Sequence, residues 1–192
     1  MLINPFGIPE FMIITISGTP GSGKSTVAKA VAKELGVSHY SAGDFMREMA
    51  EAKGISLMEL SKLAESDTSI DREIDERTKH LALKDNFVID SRLAFHFIPK
   101  AIKIFLIVDP KVAAVRTWKD IQLGKRHSEH QLKSEQEVLD AVNKRLQSEC
   151  KRYEEYYGVN YLDKSNYDFV LDTTNSTIEE CVKRVVEFVR KK

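Results

Sequence analysis

Ile13-Ile14-Thr15-Ile16-Ser17-Gly18-Thr19-Pro20-Gly21-Ser22-Gly23-Lys24-Ser25-Thr26 is the stretch that decides the fold. Its first half is a short β-branched run of the kind buried on both faces of a parallel sheet. Its second half fits G-x-x-x-x-G-K-[ST] at every fixed position from Gly18 to Ser25. From Ser25 to Leu35, apolar Val27, Ala28, Val31, Ala32 and Leu35 recur at helical spacing, and Gly36 marks a stop. A strand, a glycine loop and a helix in that order are the context in which this motif binds a nucleoside triphosphate. The glycines let backbone N–H groups converge on phosphate oxygens, and the helix adds the positive end of its dipole. Gly18, Thr19, Pro20, Gly21, Ser22, Gly23, Lys24, Ser25 and Thr26 are therefore the triphosphate-binding residues. Lys24 is expected at the β- and γ-phosphates, and Ser25 as a ligand of Mg2+.

Three more apolar runs share the form of the first: Phe87–Asp90, Ile104–Asp109 and Phe169–Asp172, with Val37–Ser41 a weaker fifth. Helical patterns cover Ser69–Leu83, Lys111–Leu123 and Ser134–Tyr157. Capping boxes stand at Ser56-x-x-Glu59, Ser134-x-x-Glu137 and Thr177-x-x-Glu180. The alternation predicts an α/β fold, a doubly wound parallel five-stranded sheet flanked by helices. Ligands then bind beyond the carboxyl ends of the strands, at Gly18, Ser41, Asp90, Asp109 and Asp172.

The 192 residues fit one domain, expected over 12–192. Residues 1–11, broken by Pro5, Gly7 and Pro9, read as a vector-derived leader ahead of a start at Met12. Lys plus Arg and Asp plus Glu both number 29, so the zero net charge argues against a protein that coats nucleic acid or a membrane surface. No apolar run approaches the ~20 residues of a membrane span. Cys150 and Cys181 make neither a disulfide framework nor a CxxC site. Cys181 and Trp118 read as core.

Ser41-Ala42-Gly43-Asp44-Phe45-Met46-Arg47 places a glycine-containing turn ahead of a helix, with Arg47 one turn in. Such a turn can hold a second phosphate between helix amides and a guanidinium, and equally suits a surface arginine after an ordinary turn. Ile89-Asp90-Ser91-Arg92 ends a buried strand on Asp90, which can orient hydrated Mg2+ or a substrate hydroxyl, or simply cap the turn. Arg92 projects at the same edge. Arg145, Glu149 and Arg152 share one helical stripe that flanks the apolar stripe of Val138, Val142, Leu146, Tyr153 and Tyr157. By spacing alone this is a solvated ion-pair ladder.

With these elements the chain resembles the archaeal-type cytidylate kinases, within the phosphate-loop nucleoside monophosphate kinase family. The resemblance rests on Ile16–Thr26, Ser41–Arg47, Asp90-Ser91-Arg92-Leu93 and the Arg145–Val159 helix, and runs from about Met12 to the C-terminus. It implies transfer of the γ-phosphoryl group of ATP to CMP or dCMP, giving ADP and CDP or dCDP, with Mg2+ as cofactor. It implies that Ser41, Gly43, Asp44 and Arg47 hold the acceptor, with Asp90 and Arg92 at its base or phosphate. Asp90 also reaches the metal through water. Lys24, Arg116, Arg145 and Arg152 are the implied catalytic cations. Residues 44–83 are the implied acceptor-binding helical segment, and about 117–135 the lid. The loop after the last strand borders the donor base, with Thr173 as a contact.

In one place the chain departs from the family pattern. Asp120 stands near a position where the family carries a second arginine, and Lys119, Lys125 or Arg126 substitutes for it. His127 and His130 read as exposed loop histidines rather than a metal pair. A kinase acting on AMP or UMP shares these motifs, and a nucleotide-dependent binding switch shares the loop alone. The expectation is a monomeric cytoplasmic enzyme whose partners are nucleotides, with no nucleic acid and no membrane.

Overall fold

β1 (Ile13–Gly18) is buried along its whole length, as its unbroken apolar run requires. In the computed structural model, which describes residues 11–124 and 132–192, it is the central strand of five. β3 (Phe87–Asp90) and β4 (Ile102–Ile107) flank it, with β2 (Ser38–Ser41) and β5 (Phe169–Asp172) at the edges. The order is β2-β3-β1-β4-β5 and every pairing is parallel. Ile16 and Ser41 both pair with Asp90, so the ends of β1, β2 and β3 meet at one edge of the sheet.

Strand alternation sends side chains to two cores. On one face Ile14, Ile16, Val88, Ile104 and Leu106 pack under α1 (Lys24–Leu35) and α8 (Ile178–Val189). Cys181 sits in this core as expected, with Val185 and Val189. On the other face Ile13, Phe87 and Ile89 meet α4 (Thr68–Leu81) and α5 (Ala94–Phe97). There Phe105 meets Tyr153 on α7 (Glu135–Tyr157), together with Tyr161. α6 (Pro110–Gln122) follows β4. α2 (Ala42–Ala52), α3 (Leu57–Leu63) and α4 share a small core of Met49, Ala50, Leu60, Ala64, Ile70 and Ile74. Phe45 of α2 packs against both this core and the sheet-side one, so the stretch between β2 and β3 is held to the sheet.

Some boundaries differ from the sequence reading, each for a local reason. β4 stops at Ile107 because Asp109 caps α6, accepting from the Lys111 and Val112 amides. Gly43 lies inside the first turn of α2, which starts directly on Ser41, and not in a turn before it. The boxes at Ser56 and Thr177 close in both directions. At Ser134 only the serine half forms, because the Glu137 carboxylate accepts from the Lys133 amide instead. Trp118 is half-buried and Thr117 takes the inward position. Residues 1–10 of the expected leader, and Lys125, Arg126, His127 and His130 of the lid, lie outside the described residues. Among those described, no helix is long and apolar enough to cross a membrane.

Candidate active site

The glycine loop lies between β1 and α1 and is tied to the sheet. The Thr19 amide donates to the Leu106 carbonyl of β4 at 3.0 Å. α1 has Gly23 at its N-cap and no side chain capping it, so the first amides of the helix face the loop without a side-chain partner. Gly21 and Gly23 hold φ of 77° and 80°, the left-handed region that side chains disfavour. A Cβ on Gly21 would also stand 2.6 Å from the Ala113 Cβ. Gly21→Ala should therefore cost about 1–3 kcal/mol of stability and weaken nucleotide binding. Urea unfolding and titration with a fluorescent ATP analogue would read both, and an unchanged midpoint would contradict the tight fit.

Asp90 is the hub of the site and is fully buried. Its Oδ1 accepts from Lys24 Nζ at 2.5 Å and from Ser25 Oγ at 2.8 Å. His39 Nε2 lies 2.9 Å from Oδ2. Burial alone would raise the Asp90 carboxyl. The His39 hydrogen bond and the Lys24 charge outweigh it and hold Asp90 well below the usual carboxylate range. An ionised carboxylate only accepts, so Nε2 of His39 carries the proton. Lys24 is pushed down by burial, with Arg92 and Arg145 acting in the same sense and Asp90 opposing them. That coupling places both arginines within electrostatic reach of the loop lysine.

Glu149 ties those arginines together. Its Oε2 accepts from Arg92 Nε at 2.7 Å and from the Tyr161 hydroxyl at 3.2 Å, and its Oε1 from Arg145 Nε at 2.9 Å. Burial would raise this carboxyl too, but the two guanidinium charges bring it down to about 2. The stripe on α7 is therefore partly a buried bridge rather than a solvated ladder. Glu149 itself is buried, and only Arg145 reaches well into solvent.

Ser41, Gly43, Asp44 and Arg47 gather at the start of α2. A Cβ on Gly43 would lie 3.5 Å from Ser41 Oγ and 3.8 Å from an Arg47 nitrogen, and Arg47 pairs with Asp44. Through the β2–β3 register this group sits beside Asp90, with Arg92 just beyond.

The structure does not bring every expected residue to this point. Arg116 donates to the Thr173 and Thr174 carbonyls at 2.8 and 3.0 Å, so in this structure it braces the loop after β5. Thr173 is buried, and its hydroxyl lies within donating distance of the Ser22 carbonyl at 3.2 Å and the Ile107 carbonyl at 3.1 Å, which ties the loop after β5 to the glycine loop and to β4. Arg152 lies two turns along α7 from Arg145, with Nε 2.9 Å from Asp71 Oδ2. Those two atoms meet without hydrogen-bond alignment, so the contact is an ion pair only.

A model of the cytidylate kinase-like family matches residues 13–175. The chain belongs to the cytidylate kinase-like family. Within this family it is 39% identical to the cytidylate kinase of Methanopyrus kandleri, over 88% of each chain. It is also 39% identical to that of Methanothrix thermoacetophila, over 84% of this chain and 88% of that one. Among solved structures, an uncharacterized protein from Eubacterium ventriosum superposes with TM-score 0.70 at 19% identity, covering 94% of this chain and 99% of that one. Shikimate kinase from Bacteroides thetaiotaomicron gives 0.65 at 19%, covering 93% and 98%. These two show the fold. For a cytidylate kinase-like chain the sequence reading overlooked His39 and left Glu149 without a role. The signal for His39 was a polar side chain two residues before the partner of Asp90, on the same face of the sheet.

Proposed function

We propose that this protein transfers the γ-phosphoryl group of ATP to CMP or dCMP, giving ADP and CDP or dCDP. The observation that carries the proposal is the convergence of two phosphate-binding arrangements on Asp90. One is the glycine loop with Lys24 and Ser25, and the other is the Ser41–Arg47 turn with Arg92. Two anionic substrates repel, and the cations between them offset that repulsion. The names of the relatives support cytidine as the acceptor nucleoside.

In this reading the loop amides and Lys24 hold the β- and γ-phosphates, and Arg145 grips the transferring group. Ser41, Gly43, Arg47 and Arg92 orient the acceptor phosphate, with Asp44 fixing the Arg47 fork. Arg152 lines the acceptor side, Arg116 steadies the loop behind the donor, and residues 44–83 form the acceptor segment. The acceptor is already an anion, so no strong general base is required. Ser25 and Asp90 present oxygen donors side by side, a set suited to a hard cation such as Mg2+, Asp90 through water. When bound, that ion supplies charge neutralisation at the donor phosphates.

ADP release measured by a coupled assay across AMP, CMP, dCMP, UMP and GMP tests the proposal. The expected result is turnover dominated by CMP and dCMP. Slow ADP release that no monophosphate accelerates would overturn it.

A further inference from the structure

Asp90 keeps its charge while fully buried, so its donors have to hold it throughout the reaction. Two of them, Lys24 and Ser25, stand together at the start of α1 and bond Oδ1. The third is His39, which bonds Oδ2 from the side of β2. The kinase reading uses the first two and leaves His39 without a task.

The two donors on α1 are the ones a nucleotide recruits. An ammonium has three N–H bonds. In this structure Lys24 Nζ aims one at Asp90 Oδ1 and another at Ser25 Oγ, 3.4 Å away. A grip on both the β- and γ-phosphates takes two, so at least one present contact has to be given up. Phosphate oxygens also compete with Asp90 for the same positive charge, so the hold of Lys24 on Asp90 loosens as the donor binds.

His39 does not belong to the loop. It pairs with Val88 on β3, two residues before Ser41, which pairs with Asp90. Strand alternation puts His39 and Ser41 on one face of β2, and the imidazole reaches Asp90 along the diagonal of the ladder. The His39 hydrogen bond outweighs even the Lys24 charge in holding the Asp90 carboxyl down. The firmest of the three holds on Asp90 is therefore the one that the donor nucleotide leaves alone.

We propose that His39 is a positioning residue for the donor site: by holding Asp90 Oδ2 from β2, it keeps the buried carboxylate in place while Lys24 turns from Asp90 to the donor phosphates. This rests on the kinase reading as far as ATP binding and needs no particular acceptor. Without the His39 donor, Asp90 holds Lys24 harder, and the lysine is less available to ATP. The loss then falls on the donor nucleotide and runs through Asp90.

Calorimetric titration with Mg2+–ATP and, separately, with CMP tests this in wild type, His39→Phe, His39→Ala and His39→Gln. His39→Phe keeps a ring and loses the donor, so it carries the test should His39→Ala fail to fold. His39→Gln puts an amide N–H near the place of Nε2. The expected result is about tenfold weaker ATP binding in the Phe and Ala variants, the scale of one hydrogen bond to a charged group. CMP affinity should stay within about twofold of wild type, and Gln should restore most of the ATP affinity. In an Asp90→Asn background His39→Phe should change ATP affinity by less than about twofold, because the charge it served is gone. Equal losses for ATP and CMP, or a lower Tm with ATP affinity unchanged, would mean a histidine that supports the sheet alone and would overturn the proposal. So would an ATP loss of the same size in both backgrounds. A wild type that binds ATP but phosphorylates no monophosphate overturns the kinase reading and leaves His39 in its role, so the two failures are distinct.

Discussion

Lys24→Ala should lower kcat by about 10²–10³ while CMP affinity stays within about threefold of wild type. On the proposed reading Lys24 carries its charge at the junction of donor and acceptor, and the fold holds it there at a cost. Burial and two nearby arginines work against its charged form, and Asp90 opposes them from 2.5 Å. A cation held under those conditions exerts its field through little water, so its effect on developing phosphate charge exceeds that of a surface lysine. Lys24→Arg should not restore the rate, since a planar fork does not fit the space of an ammonium between Asp90 and Ser25. The Ala variant leaves Asp90 with His39 and Ser25 as donors, so the protein stays folded and circular dichroism should be unchanged. Single-turnover kinetics with calorimetric CMP titration would check this, and turnover within tenfold of wild type would remove Lys24 from the chemistry.

What could be read in the sequence followed the range of the forces involved. The strand at Ile13–Gly18, the loop and α1 are local, because periodicity and glycine placement specify them within a few residues. Gly36 ends α1 as its position predicts. The partners of side chains are not local. His39 and Asp90 are 51 residues apart and Arg92 and Glu149 are 57, so nothing in the spacing links them. Helical phase could show that Arg145, Glu149 and Arg152 share a stripe, but not that the stripe's carboxylate is buried between arginines from two elements. Arg116 shows the same limit. Its place on α6 was readable, but its capture by the Thr173 and Thr174 carbonyls depends on where β5 ends. Asp71 and Asp75 did leave a trace, as carboxylates one turn apart in a helix whose inward positions are Ile70, Ile74, Thr78 and Leu81. Acidic residues inside an apolar stripe need partners, and Arg152 and Tyr157 on α7 engage them.

Glu149→Ala should destabilise the protein by about 3–5 kcal/mol, the range for breaking one side of a buried ion pair. The loss comes mainly from Arg92. Its side chain is 13% exposed and would be left as a buried cation with the carboxylate gone, whereas Arg145 is 59% exposed and its arm is screened by water. Glu149→Gln keeps the volume and one accepting oxygen, so it should lose less but still a measurable part. The two variants also differ from wild type in their response to acid. Burial works against the charge on Glu149, but the arginines hold its carboxyl near 2, below its ordinary 4.5. A depressed carboxyl contributes stability above its unfolded value, and that stability drains away as pH falls from about 4.5 towards 2. Wild type should therefore lose stability through this window more steeply than Glu149→Gln, and the gap between them should close at its acid end. Urea unfolding at stepped pH measures both effects. A Glu149→Ala midpoint equal to wild type at neutral pH would mean that Arg92 is held by its stacking over Tyr161, not by the carboxylate. In that case the bridge could not be what fixes two arginines at the mouth of the phosphate loop.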